Sequence, residues 1–136
     1  MEFRDLLRQA AEMLDCELTF ESYEGEDEAV VNVRLEDGRH QVLTVEPSRQ
    51  EGRDFLRITT PVAKATELKP QQLRQVLQLN ASLLYGAFAL LGDELILTDT
   101  IDRQPEPDPE ICARIMAHLA RTADSYEKMA FGRDRE

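Results

Sequence analysis

The sequence predicts an α+β fold: an antiparallel sheet with helices on one face, in the order α-β-β-β-β-α-β-β-α. Three observations carry this. Apolar residues recur with a period near 3.6 in three segments and near two in the segments between them. Short glycine-containing turns join the two-period segments, as they do for antiparallel neighbours. The strands come in a group of four and a group of two, and each group is flanked by helices, which segregates helices to one face.

The elements follow in order. Residues 3–14 read as an amphipathic helix, with Phe3, Leu7, Ala10 and Leu14 on one face and Leu6 and Met13 beside them. In "ELTFESYE", Leu18 and Phe20 alternate with Glu17, Thr19 and Glu21, a half-buried strand pattern. "AVVNVRL-EDGR-HQVLTVE" reads as a hairpin. Asp37-Gly38 predicts a two-residue type I′ turn, which sets Val33 opposite Val42, Val31 opposite Thr44 and Val30 opposite Val45. "PSRQEGR" reads as a loop. "DFLRITTPV" is a fourth strand with Leu56, Ile58, Thr60 and Val62 on one face, and Pro61 marks its end or an edge. "ATELKPQQLRQVLQLNASLLYG" predicts the second helix, with Pro70 in its first turn and Gly86 as its C-terminal cap. Leu73, Val76, Leu77, Asn80 and Leu84 form its stripe, widened by Leu79 and Leu83. Arg74 is the only charged residue between Gln71 and Tyr85. Such a helix is either buried on two sides or covered by the last helix.

Gly92-Asp93 predicts a type II′ turn in a second hairpin, pairing Leu91 with Glu94, Leu90 with Leu95 and Phe88 with Leu97. Phe88, Leu90, Leu95 and Leu97 then make one apolar face, and Ala87, Ala89, Leu91, Ile96 and Thr98 the other. "RQPEPDPE" is a stiff acidic connector. Asp108 as N-cap, Pro109 and Glu110 start the last helix, which runs to about Met129. Its stripe is Ile111, Ile115, Leu119, Thr122 and Tyr126, with Met116 and Ala123 alongside. Residues 1–136 are expected to form one domain, with 131–136 frayed.

Composition narrows function more by exclusion than by indication. At 136 residues and 42% apolar the chain can bury a core without metal or disulfide staples. No run approaches the roughly 18 apolar residues of a membrane span. The N-terminus lacks a basic start followed by an apolar block, so no secretory signal is read there and the cytoplasm is the expected location. A formal charge of −11 disfavours binding to nucleic acid or anionic lipid. It fits solubility, or a basic or uncharged partner. Cys16 and Cys112 stand alone, and read as inert small hydrophobes or, alternatively, as a disulfide or redox pair.

Catalytic motifs are scarce. His40 and His118 are the only histidines and have no spaced partner, so no zinc site is read. The six glycines are scattered at turns and form no phosphate loop, and no nucleophile elbow occurs. Asp99 and Asp102 read as carboxylates at a strand's end, in water. Scattered carboxylates would make an enzyme only if they converged, buried, around a closed pocket. The expectation is no catalysis, no metal and no cofactor.

The stretch "LRQVLQLNASLLYGAFALLGDELILTDTI" resembles the core motif of YbjN-like proteins and of class I type III secretion chaperones. Leu79, Asn80, Gly86, Phe88, Leu95 and Leu97 carry the match. "ADSYEKM" resembles the usual end of the last helix in those proteins, and "HQVLTVEPSRQEGRDFLRITTPVA" the YbjN-like middle strands. The connector with Pro105, Pro107 and Pro109 is stiffer than in a dedicated chaperone. The resemblance implies a small, acidic, often dimeric protein without catalysis. It implies a chaperone-like module that binds an extended partner segment through apolar surface. The alternative is a YbjN-like regulator acting through transient protein contacts, with no extended client. On the helix, Val76, Leu79 and Leu83 are the expected partner or homodimer contacts. On the hairpin they are Ala87, Ala89, Leu91 and Ile96.

Overall fold

The computed structural model describes residues 1–24 and 26–131. In chain order it holds α1 (Phe3–Glu12), β1 (Cys16–Tyr23), β2 (Glu26–Arg34), β3 (His40–Gln50) and β4 (Arg53–Lys64). A 3₁₀ turn (Ala65–Glu67), α2 (Pro70–Leu79), β5 (Ala87–Leu91), β6 (Glu94–Asp102) and α3 (Pro109–Phe131) follow. All six strands are antiparallel in one sheet, ordered β1-β2-β3-β4-β6-β5. This is the predicted α+β order. The predicted tail begins at Phe131, which belongs to α3; residues 132–136 lie outside the described residues.

The core lies between the sheet and α1 and α3. Ala29, Val31, Leu43, Val45, Leu56, Ile58 and Leu97 point at the helices and are essentially inaccessible. From above, Leu6, Leu7 and Ala10 of α1 and Met116, Leu119, Ala120 and Ala123 of α3 meet them. Ile111, assigned to the α3 stripe, is exposed instead. The rest of the predicted stripe holds: Ile115, Leu119 and Tyr126 are buried, Thr122 is half-buried, Met116 and Ala123 are buried alongside, and Cys112 is buried next to the exposed Ile111. Alanines at 113, 120 and 123 allow close approach to the sheet. Asp108 caps α3 as expected, its Oδ1 accepting the Glu110 N–H at 2.9 Å.

The first hairpin is slipped by one residue from the predicted register. Val31 pairs with Leu43 and Val33 with Gln41. The Leu35 N–H donates to the Arg39 carbonyl at 2.8 Å, so three residues, Glu36 to Gly38, form the loop. Gly38, at φ +80°, occupies the left-handed position that ends a type I turn with a bulge. One residue of slip exchanges the two faces. The observed register turns Leu43 and Val45 into the core, and the predicted one would have left them outside.

"PSRQEGR" is not a loop. β3 and β4 continue to a tight turn at Glu51-Gly52, both at positive φ, closed by the Gln50–Arg53 pair. Pro61 lies inside β4 rather than at its end. The β3–β4 ladder stops at Thr44–Thr59, and the β4–β6 register shifts between Pro61 and Ala63. Side chains take over the pairing there. The buried Gln41 Nε2 donates to Thr60 Oγ1 (2.7 Å) and to the Pro61 carbonyl (2.9 Å), and Thr60 Oγ1 donates to the Val42 carbonyl (2.8 Å). Proline is tolerated because its strand no longer needs the backbone donor at that point.

α2 is much shorter than predicted. It starts at Pro70 but ends at Leu79, and residues 80–86 form turns leading to β5. Neither predicted burial holds for it: of its side chains only Val76 is buried, and Leu77 is exposed. The helix lies lightly at the β5 side of the molecule.

Candidate functional site

The most apolar surface surrounds β5. The second hairpin pairs as predicted, Leu91 with Glu94, Leu90 with Leu95 and Phe88 with Leu97. Gly92 at φ +58° supplies the first turn position. Phe88, Leu95 and Leu97 enter the core, but Leu90 is 57% exposed. β5 pairs only with β6, so its other side is a sheet edge.

Two residues of the 80–86 segment shape that edge. The Asn80 side chain lies along β5 like a short strand: its Oδ1 accepts the Phe88 N–H at 2.7 Å and its Nδ2 donates to the Phe88 carbonyl at 3.1 Å. Gly86 sits at φ +79°, where a Cβ would lie 2.6 Å from Leu119 Cδ2 and 3.0 Å from the Thr98 carbonyl oxygen. It thus starts β5 and lets α3 pass close by; it does not cap α2, whose C-cap is Asn80.

The seven expected contact residues divide among three places. Val76 is 1% exposed and belongs to the core. Leu79 and Leu83 are half-buried and line a groove of about 480 Å³ between the end of α2 and α3. Ala87, Ala89, Leu91 and Ile96 lie on the sheet face away from the helices. Of these, Leu91 is 65% exposed, while Ile96 is buried, paired with Pro61 on one side and Ala89 on the other. Leu77, Leu84 and Leu90 are also exposed, at 67%, 72% and 57%, and Leu77 and Leu90 line one small apolar cavity with Leu73, Val76 and Phe88. Periodicity had placed Leu77, Leu84 and Leu90 in the core. For Leu84 the missing signal is the early end of α2 at Leu79; Leu77 is exposed within the helix, of which only Val76 is buried.

The uncovered sheet face is flat at its centre. One row crosses all six strands: Thr19, Val30, Thr44, Thr59, Thr98 and Ala87. None of the six is charged or long.

The ionisable groups act as structural ties. Arg39 Nε donates to the buried Asp124 at 2.6 Å, and Lys128 stands 3.5 Å from the other oxygen, which fastens the β2–β3 turn to α3. That hydrogen bond raises the Arg39 pKa above its ordinary value. Asp102 lies exposed at the end of β6, 3.1 Å from Arg53, whereas Asp99 is half-buried within the strand, opposite Ile58. His40 is exposed on β3, and His118 meets the Tyr85 ring edge-on at 5.3 Å. Both cysteines are free. Burial pushes the Cys112 thiol up to about 11 and also raises that of Cys16, so both are poor nucleophiles. Among the described residues no group of three or more His, Cys, Asp or Glu side chains could hold a metal ion. No described helix is long and apolar enough to cross a membrane.

No family model matches the chain, and no curated protein matches it. Solved structures do. One is the Yersinia pestis type III secretion chaperone SycH in complex with a stable fragment of YscM2. It shows 18% identity and a TM-score of 0.60 over 92% of this chain and 99% of that one. Another is the HopA1–SchA chaperone–effector complex, with 16% identity and a TM-score of 0.61 over 93% of each chain. The chain has a type III secretion chaperone-like fold. At these identities the likeness is one of fold.

Proposed function

We propose that the protein is a non-enzymatic, chaperone-like binding module of the cytoplasm. In this reading it forms a homodimer and holds a segment of a partner protein against the apolar surface around β5. The observation that carries the reading is the exposure of Leu77, Leu84, Leu90 and Leu91, each more than half exposed, in the stretch from α2 to the end of the edge strand β5, with Leu77 and Leu90 lining one small apolar cavity. Single exposed leucines are ordinary, but neighbouring ones such as Leu77 and Leu90 beside an unpaired strand mark a contact surface. The fold supports the reading, since SycH and SchA were both solved in complexes with protein partners. Sedimentation of the wild type and of a Leu84→Asp, Leu91→Asp double variant tests it. A dimer that becomes a folded monomer is expected. A wild type that stays monomeric at tens of micromolar removes the dimer, and co-purification from the native cell tests the partner separately.

The resemblance of the β3–β4 stretch to YbjN-like proteins gives a second reading, a regulator with transient contacts. Partners that dissociate during washing and are recovered only by crosslinking would favour it over a held client.

A further inference from the structure

Asp124 is the only charged residue buried among the described residues. A carboxylate held out of water needs partners that stay in place. Its partners are the half-buried Arg39, 2.6 Å away on the β2–β3 turn, and the exposed Lys128, 3.5 Å away on its own helix. Lys128 also pairs with Asp37 of the same turn. This clasp marks a change in how α3 is held. Before it, the helix buries Ile115, Met116, Leu119 and Ala123. Beyond it, in residues 125–131, Tyr126 alone is buried. A hollow lies on each side of that end. One, of about 400 Å³, lies between the end of α1, the β2–β3 turn and α3. The other is the groove of about 480 Å³ toward the end of α2, and Ser125 lines both. The remaining ties of the end include the Tyr126 ring on Phe88, with centroids 5.2 Å apart, and the Ala130 carbonyl, which accepts from Gln72 Nε2 at 3.4 Å.

We propose that residues 125–131 form a strap that opens and closes over Phe88, and that the Arg39–Asp124–Lys128 clasp sets how often it opens. Segments with few buried apolar groups open locally at free energies well below that of the whole fold. The clasp holds this one closed as long as Asp124 has its cations. Without Arg39 the carboxylate keeps one partner, at 3.5 Å, and gains more by turning into water than by staying buried. That motion lifts the last two turns, because 125–131 continue the same helix. Phe88 is what they cover. It is 3% exposed, and it lines both the groove toward α2 and the small cavity of Leu73, Leu77 and Leu90. Uncovering it adds an aromatic ring to the apolar surface proposed for the partner, so the strap regulates access to that surface. The inference rests on the reading of that surface as a binding site and adds its control.

Hydrogen exchange read by mass spectrometry on the full chain tests it. In the wild type, the amides of 125–131 should exchange together and faster than those of 112–123. In Arg39→Met the amides of 125–131 should exchange about tenfold faster again, with 112–119 unchanged. Adding Asp124→Asn should return most of that change, since a neutral amide needs no cation; a role in packing alone would not be rescued by it. The apolar dye 8-anilinonaphthalene-1-sulfonate probes what is uncovered. Its fluorescence should rise several-fold on Arg39→Met and fall back in the double variant. Circular dichroism checks that the variants fold, and Lys128→Met, a milder cut in the same clasp, should show the same pattern at a smaller factor. Unchanged exchange in 125–131, or a gain confined to the β2–β3 turn, overturns the strap and leaves the binding-module reading untouched; that reading stands or falls with sedimentation and co-purification. Faster exchange without added dye binding shows an end that frays without uncovering a surface, and overturns the regulatory role.

Discussion

Replacing Asn80 by alanine should cost about 2 kcal/mol of stability, although the residue adds nothing to the core. Its amide makes two hydrogen bonds with one backbone unit, at 2.7 and 3.1 Å from Phe88. Each contributes about 1 kcal/mol net, and the half-buried groups left behind find only partial replacement in water. Urea unfolding followed by circular dichroism reads the loss directly. In thermal unfolding it corresponds to a fall of about 5–10 °C for a domain of this size. Asn80→Asp is the sharper variant. It keeps an acceptor for the Phe88 N–H but sets a second carboxylate oxygen against the Phe88 carbonyl, acceptor against acceptor. At neutral pH it should lose at least as much as the alanine variant. Its deficit relative to wild type should shrink below about pH 4, because a protonated carboxyl can again donate. A loss under about 0.5 kcal/mol in Asn80→Ala, or a neutral-pH Asn80→Asp as stable as wild type, would refute the reasoning. The link from α2 to β5 would then rest on apolar contacts alone.

Other expectations come from the same structure. Gly86→Ala should cost about 2–4 kcal/mol, from its positive φ and the contact of a Cβ with Leu119; Gly38→Ala, with nothing within 4 Å, should cost about 1 kcal/mol, as paired urea melts will show. The Arg4–Asp27 pair should give a pH-dependent increment. The hydrogen bond from Arg4, aided by Ser22, lowers the Asp27 pKa, so the increment is present above about pH 4 and lost as pH falls through the folded-state value. The stability gap between wild type and Arg4→Gln should therefore close on acidification. Iodoacetamide on the native protein should mark the half-buried Cys16 slowly, faster at alkaline pH, and spare Cys112, which is 2% exposed, until urea unfolds the chain; mass spectrometry counts the adducts.

Turn chemistry decided how much could be read beforehand. Gly92-Asp93 leaves one short solution, and the second hairpin's pairing came out residue for residue. Asp37-Gly38 admits two solutions. The choice fell to burial of Leu43 and Val45 against helices far away in sequence, which no local pattern contains. The Glu51-Gly52 turn was hidden because glutamate at positive φ is uncommon. The apolar run past Leu79 looked helical because leucines in turns and leucines in helices share one spacing. For the candidate site, sequence placed Leu79, Leu83 and Leu91 near accessible surface but put Val76 there too, and it hid Leu77, Leu84 and Leu90 in the core.

The grip of Asn80 on Phe88 also bears on polymerisation. A bare outer strand can template a second sheet, and repeated templating makes fibrils. In β5 the backbone groups that alternate outward belong to Phe88 and Leu90, and the first of these is already occupied by a side chain of the same molecule. An incoming strand would find one free rung, too little to propagate an in-register ladder. At the opposite margin β1 carries Glu17 and Glu21, whose charges repel a like copy. The molecule can therefore leave an apolar flank uncovered while denying its own copies an endless stack.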